Sequence, residues 1–305
     1  HTSVRWLWWL LMALPAVGGL HCAFIHGAGE TTSDFTVLDD LPGYWGSVKA
    51  YTGLCNSTAF MHADTVHRGW TDEALHDLAC ETALPIHGRH WGGPRVIRDT
   101  VIFTHSMGNL ILAAALHRGR CALSPATTLW ATLSAPWLGS EAADRLQLFC
   151  NGTLPWSPEV KALADLLNYC VGSNLSAANF GLQTTYPGLA TMAHIAKVHA
   201  RAQLCGDSPE GIPTGYSIGL VAISLLLQLP QPDDGMVSLS SCAAGVPNVT
   251  QWGGTPDHLF YRASLNHADA TCRNGDGHLE ERRPCSWYQS VVQHHHKALA
   301  GGARG

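Results

Sequence analysis

The stretch that most constrains this chain is Val101-Ile102-Phe103-Thr104-His105-Ser106-Met107-Gly108-Asn109, followed by the apolar run from Leu110 to Leu116. β-favouring residues lead into a tight turn with a serine at its apex, and strong helix formers follow. Strand, sharp turn and helix in immediate succession lift one hydroxyl clear of the backbone. The helix start behind it offers unpaired N–H groups and the positive end of a dipole to any developing negative charge. Ser106 is therefore the candidate nucleophile. The competing reading makes it an ordinary helix cap, and residues elsewhere in the chain have to separate the two.

With 305 residues, 46% of them hydrophobic and 13% charged, the chain can bury a sizeable core and is too poor in charge to be disordered. One large domain over residues 19–297 is expected, with a small-residue, flexible tail at 298–305. A net charge of −5 lacks the basic footprint of a nucleic-acid binder, and that class of partner is set aside. Arg5, the apolar run Trp6 to Leu14 and the small residues Ala16-Val17-Gly18 read as a secretory signal peptide over residues 1–18. That run is short for a spanning helix, although an uncleaved signal anchor is the alternative.

The ten cysteines, Cys22, Cys55, Cys80, Cys121, Cys150, Cys170, Cys205, Cys242, Cys272 and Cys285, form no CxxC pair. Wide spacing and an even count argue for disulfides in an oxidising compartment rather than a zinc knuckle, with the connectivity left open. Asn-x-Ser/Thr sequons at Asn56, Asn151, Asn174 and Asn248 fit a secreted glycoprotein.

Leu20 to Ile25 predicts a buried strand that opens into the loop His26-Gly27-Ala28-Gly29, where two glycines permit a close backbone turn. Thr71 to Leu84 predicts an amphipathic helix capped by Thr71 or Asp72 and stopped by Pro85. Thr127 to Leu133 reads as another strand running into a sharp turn at Ser134 to Ser140. Glu159 to Leu167 predicts a short helix, and Gly181 to Leu204 predicts helices covering the sheet. Tyr216 to Leu229 is apolar but short for a membrane span, so a buried helix or strand is expected.

A serine hydroxyl needs an imidazole to take its proton and a carboxylate to orient that imidazole. At this point five patches resemble the α/β-hydrolase superfamily, within it the lipase-like members: His26 to Gly29, Thr104 to Gly108, Pro136 to Ser140, Asp234-Gly235-Met236-Val237-Ser238, and Asn266-His267-Ala268-Asp269. They stand in the superfamily's order of nucleophile, acid and histidine. The resemblance implies the α/β-hydrolase fold, a mostly parallel central sheet with helices on both faces. It also implies Ser106 as nucleophile, His267 as general base, Asp234 as orienting carboxylate, and an oxyanion hole formed by the backbone N–H groups of Ala28 and Met107. Asp233 is the rival acid, and His258 and His278 are rival histidines.

One departure is Thr104, where the family's common pattern has glycine; a β-branched residue is expected to crowd the elbow. Asp269 stands where calcium-binding bacterial lipases carry an ion ligand, yet no partner for it is identifiable, and Asn274-Gly275-Asp276-Gly277 reads as an ordinary turn. No cofactor and no required metal are expected. The leading functional reading is a secreted serine hydrolase of carboxylic esters, with lipid acyl esters as the favoured substrate and membrane-surface or lipid contact as an option. The alternative is a catalytically inactive binding protein of the same fold.

Overall fold

A computed structural model describes residues 19–85, 95–153, 155, 168–246 and 252–302. The expected signal peptide, the glycine-rich loop from His87 to Pro94, the helix expected from Glu159 to Leu167 and the sequon at Asn248 lie outside the described residues.

Seven strands make the main sheet: β1 (His21–Ile25), β2 (Thr36–Leu38), β3 (Ser57–His62), β4 (Thr100–His105), β5 (Thr128–Leu133), β6 (Ala200–Gly206) and β7 (Phe260–Ala263). Their spatial order is β7-β6-β5-β4-β1-β3-β2, with every pairing parallel except the edge pair β2 and β3. Strand residues alternate between two cores. Cys22, Phe24, Val101 and Phe103 face one side, while Ala23, Ile25 and Ile102 face the other. Burial on both faces is why β1 and β4 read as unbroken apolar runs rather than as alternating ones.

Helices α1 (Glu73–Ala83), α2 (Met107–His117) and α4 (Leu189–His199) pack on the Ile25 and Ile102 face, while α3 (Glu141–Cys150) and α6 (Leu239–Ala243) belong to a third cluster with Leu220 and Ile223. The opposite face is covered by Trp45, Val48 and the last helix, α7 (Pro284–Gly302). There Phe24 stacks on Phe60 at 4.4 Å and on Phe103 at 5.3 Å, and Tyr288 approaches Phe103 at 4.7 Å. Such ring pairs add about 1 kcal/mol each beyond the area they bury. The expected helix from Thr71 to Leu84 is α1, and Asp72 is its cap, accepting from the N–H groups of Ala74 and Leu75.

Three expectations need correction. Gly181 to Leu204 is not helical throughout: α4 ends at His199, and Ala200 enters β6, which lies between β5 and β7. Ala200 adopts φ −68° and ψ 142°, so helix passes to strand at one residue without the glycine or proline that would have marked the change. The stretch from Tyr216 is helix α5 (Gly215–Leu226), but only one side of it is buried. Leu220 and Ile223 point inwards, whereas Ile218 is 73% and Leu225 71% exposed. An almost wholly apolar helix carries no polar stripe to mark its outer face. Finally, α7 continues through Gly302, into the stretch read as a flexible tail.

All ten cysteines are paired: Cys22–Cys55, Cys80–Cys121, Cys150–Cys170, Cys205–Cys242 and Cys272–Cys285. Five disulfides fit an extracellular or secretory-pathway protein. Among the described residues no helix is long and apolar enough to cross a membrane.

Candidate active site

The carboxyl ends of β1, β4, β6 and β7 share one rim of the sheet, where the chain has to turn and side chains from distant segments can converge. At the end of β4, Ser106 adopts φ 52° and ψ −127°, a backbone conformation costly for a residue with a Cβ. It makes no capping hydrogen bond to α2, so its hydroxyl is not used as the cap of that helix.

The turn closes because of two glycines. A Cβ on Gly108 would lie 2.5 Å from the carbonyl oxygen of Ile25 and 2.6 Å from that of His26. One on Gly27 would lie 2.6 Å from the Ser106 Cβ. Thr104, by contrast, does not crowd the elbow, which corrects the sequence expectation. Its hydroxyl donates to Asn109 Oδ1 at 2.6 Å and accepts from Trp130 Nε1 at 2.8 Å. Asn109 Nδ2 in turn donates to the carbonyls of Ser106 at 2.9 Å and Leu133 at 3.0 Å. The close backbone approach is at Gly108, and position 104 instead anchors a buried polar bridge between elbow and sheet.

His267, Ser106 and Asp234 come together. His267 Nε2 is 2.9 Å from Ser106 Oγ, and Nδ1 is 2.9 Å from Asp234 Oδ2. A neutral imidazole satisfies both contacts when Nδ1–H donates to the carboxylate and Nε2 accepts from the hydroxyl. Asp234 is held on its other oxygen by the N–H groups of Met236 at 3.0 Å and Val237 at 2.8 Å. The backbone N–H of His267 also donates to the Asp234 carbonyl at 2.8 Å.

The rivals are occupied elsewhere. Asp233 accepts from Ser224 Oγ at 2.9 Å, from the Gly235 N–H at 2.7 Å and from Gln231, and burial raises its carboxyl above the usual range. His258 is exposed beside Thr255 and Asp257, and His278 is exposed with its carbonyl on Arg283.

Ala28 and Met107 have no hydrogen-bond partner for their N–H groups among the described residues, while their neighbours do. Gly27 donates to Tyr44 Oη at 2.9 Å, Gly29 to the Thr65 carbonyl at 3.2 Å, and Ser106 to the Leu133 carbonyl at 3.0 Å. Ala28 and Ser106 both line one cavity at the rim, and Met107 directly follows Ser106.

Sequence reasoning missed a second polar chain behind the first. Tyr44 Oη donates to His105 Nδ1 at 2.7 Å, and His105 Nε2–H donates to the His267 carbonyl at 2.9 Å. Burial holds the His105 imidazole well below its ordinary value, and the neighbouring His267 and Arg273 side chains further disfavour a charge on it, so it is neutral. Burial also pushes the Tyr44 phenol above its ordinary value. His105 carried a signal by its place in the elbow; Tyr44 carried none.

The turn that presents His267 is built by the two polar residues around it. Asn266 Oδ1 accepts from the N–H groups of Ala268 and Asp269, both at 3.0 Å. Asp269 is fully buried and accepts from the N–H of Ile212 at 2.8 Å, that of Asn266 at 3.3 Å and Asn274 Nδ2 at 2.7 Å. These contacts assign Asp269 to shaping the loop. Asp276, in the neighbouring turn, accepts from the N–H groups of Cys285 at 2.7 Å and Ser286 at 3.2 Å. Among the described residues no group of three or more His, Cys, Asp or Glu side chains is arranged to hold a metal ion.

Comparison with protein-family models and with curated sequences gives no match. Solved structures are similar to this chain. The mature lipase of Bacillus licheniformis shares 18% identity at a TM-score of 0.50, over 84% of this chain and 87% of that one. A metagenomic carboxyl esterase shares 14% at 0.50, over 93% and 77%. The lipase of Staphylococcus hyicus shares 11% at 0.51, over 94% and 98%. At such identity the likeness concerns architecture: a mostly parallel sheet with helices on both faces, the α/β-hydrolase fold.

Proposed function

We propose that this chain of α/β-hydrolase fold is a serine hydrolase of carboxylic esters, acting through an acyl-enzyme. The observation that carries the reading is the continuous line Ser106 Oγ, His267, Asp234, with 2.9 Å at each step. His267 takes the Ser106 proton as the oxygen attacks the ester carbonyl, and Asp234 stabilises the imidazolium that forms. The N–H groups of Ala28 and Met107, unpaired among the described residues, receive the oxyanion. His267 then returns the proton to the departing alcohol, and a water activated by the same imidazole releases the acid.

Leu182, Leu220, Met236, Val237 and Ala268 line the cavity, which favours an apolar acyl group. Exposed apolar residues Ile218 and Leu225 lie on α5, the helix that supplies Leu220 to that cavity; they support lipid acyl esters as the substrate class. Asn56, Asn151 and Asn174 are exposed, as N-linked glycans require, in keeping with a secreted glycoprotein.

A fluorophosphonate probe tests the reading: it labels the folded protein, and Ser106→Ala abolishes labelling together with turnover of a graded panel of acyl esters. Folded wild-type protein that neither labels nor turns over any ester of the panel is the inactive binder instead.

A further inference from the structure

The cavity beside Ser106 contains a charged side chain that the hydrolytic chemistry does not use. Arg273 follows Cys272, whose disulfide to Cys285 ties this backbone to α7. Its guanidinium lies over the Tyr44 ring at 4.5 Å and over the Tyr216 ring at 5.5 Å, and Nε donates to Thr271 Oγ1 at 2.9 Å. Nη1 reaches Tyr216 Oη only at 3.5 Å. Among the described residues no carboxylate lies within salt-bridge distance of it, although it is half-buried.

A guanidinium keeps its charge in any protein and carries five N–H donors. Two rings and a hydroxyl hold this one in place and leave donors facing the cavity without an anion. A cation partly withdrawn from water is costly unless a negative group joins it. The Tyr44 ring beneath it carries the hydroxyl that bonds to Gly27 and His105, the residues flanking the Ser106 elbow. The cation thus lines the same cavity as the Ser106 hydroxyl, together with the apolar residues Leu182, Leu220 and Met236.

We propose that Arg273 is a specificity-determining residue that selects amphiphilic esters bearing an anionic group, carboxylate or phosphate, a few bonds from the scissile ester. This rests on the serine-hydrolase reading. Glu30 also lines the cavity, and its carboxylate has no hydrogen-bond or ion-pair partner among the described residues. It opposes the incoming anion, so the selectivity is the outcome of a fixed cation against a free carboxylate. Arg273 also braces Tyr44, and the test has to separate that structural effect from charge recognition.

The measurement is the ratio of kcat/KM between esters that differ only in the anion. One pair is 1-octanoylglycerol 3-phosphate against 1-octanoylglycerol; the other is O-octanoylglycolate against O-octanoylglycolamide. In the wild type the anionic member is preferred by about tenfold or more in at least one pair, as charge-assisted bidentate contacts give. Arg273→Gln lowers that ratio at least tenfold, carried by KM of the anionic member, and Arg273→Lys restores part of it. Glu30→Gln raises it severalfold.

Discrimination in the phosphate pair alone identifies a phosphorylated head group as the source of the anion; discrimination in both pairs, or in the carboxylate pair alone, identifies a carboxylate as sufficient. A wild-type ratio at or below one in both pairs overturns the proposal. So does an Arg273→Gln variant that slows both members equally, which would make the residue only a brace for Tyr44. Failure of the hydrolase reading looks different: no fluorophosphonate labelling and no turnover of either member.

Discussion

The two halves of the site are built in opposite ways. The serine half is local: Ser106 sits between β4 and α2, and its supports, Gly108, Asn109 and Thr104, lie within three residues of it. The histidine half is assembled from a distance. Asp234 and His267 lie on loops far along the chain, each held by N–H groups and near a disulfide, Cys205–Cys242 on one side and Cys272–Cys285 on the other. An elbow wedged into a doubly covered sheet is stable with the core, whereas loops at its rim need their own fastenings. Damage to the serine half should therefore cost fold and activity together, and damage to the histidine half should cost activity first.

The largest effect that can break this contrast comes from His267→Ala. Turnover falls by about four orders of magnitude or more, while the melting temperature stays within a few degrees of wild type. A comparable loss of stability would show that the histidine loop is as much part of the core as the elbow.

Gly108→Ala tests the other half. The added methyl meets two backbone oxygens, so the protein loses about 3 kcal/mol in denaturant unfolding as well as most of its activity. An active variant of unchanged midpoint would mean that the elbow can relax.

Removing the Cys272–Cys285 link, which spans 13 residues, by double substitution to serine costs about 3 kcal/mol in the chain-entropy view. Its activity should fall at temperatures where the far-ultraviolet circular dichroism is still native, because the loop carrying His267 and Arg273 loosens before the sheet does.

The smallest effect concerns pH and sharpens the contrast at the serine side. Burial lowers His26, beside the Gly27-Ala28 loop, from 6.5 to about 4, with its hydrogen bond to the Gly27 carbonyl opposing that shift and the field of His62 adding to it. Between those values the unfolded chain binds the proton and the folded chain does not, so stability is full above pH 6.5 and declines as pH falls. At pH 5 the loss is about 2 kcal/mol. Chemical denaturation of wild type and His26→Gln at pH 5 and pH 7 checks it: the variant should have the shallower pH dependence.

Much of the candidate site was legible because each of its motifs sets particular residue types at short spacing. The elbow could be read from nine consecutive residues, and Asn266 and Asp269 turned out to serve the turn that bears His267. Where the reading went wrong, composition was silent. Ala200 to Gly206 looks like the continuation of a helix, and only its place between β5 and β7 makes it a strand. Thr104 looked like an obstacle because the sequence does not say which neighbour a side chain faces; in the fold it faces Trp130 and Asn109.

By itself the order of residues determined the strand, turn and helix around Ser106, the two glycines that let backbones touch, and an even set of cysteines suited to oxidation. These are properties of neighbours in the chain or of residue type. Which cysteine meets which, which of two adjacent aspartates turns towards the imidazole, and how a tyrosine and an arginine from distant segments come to line the same cavity as Ser106 were decided only when the sheet brought its rim together. Contacts between residues well beyond one helical turn or strand repeat of each other leave no periodicity in the sequence, because the geometry that selects them exists only after the core has formed.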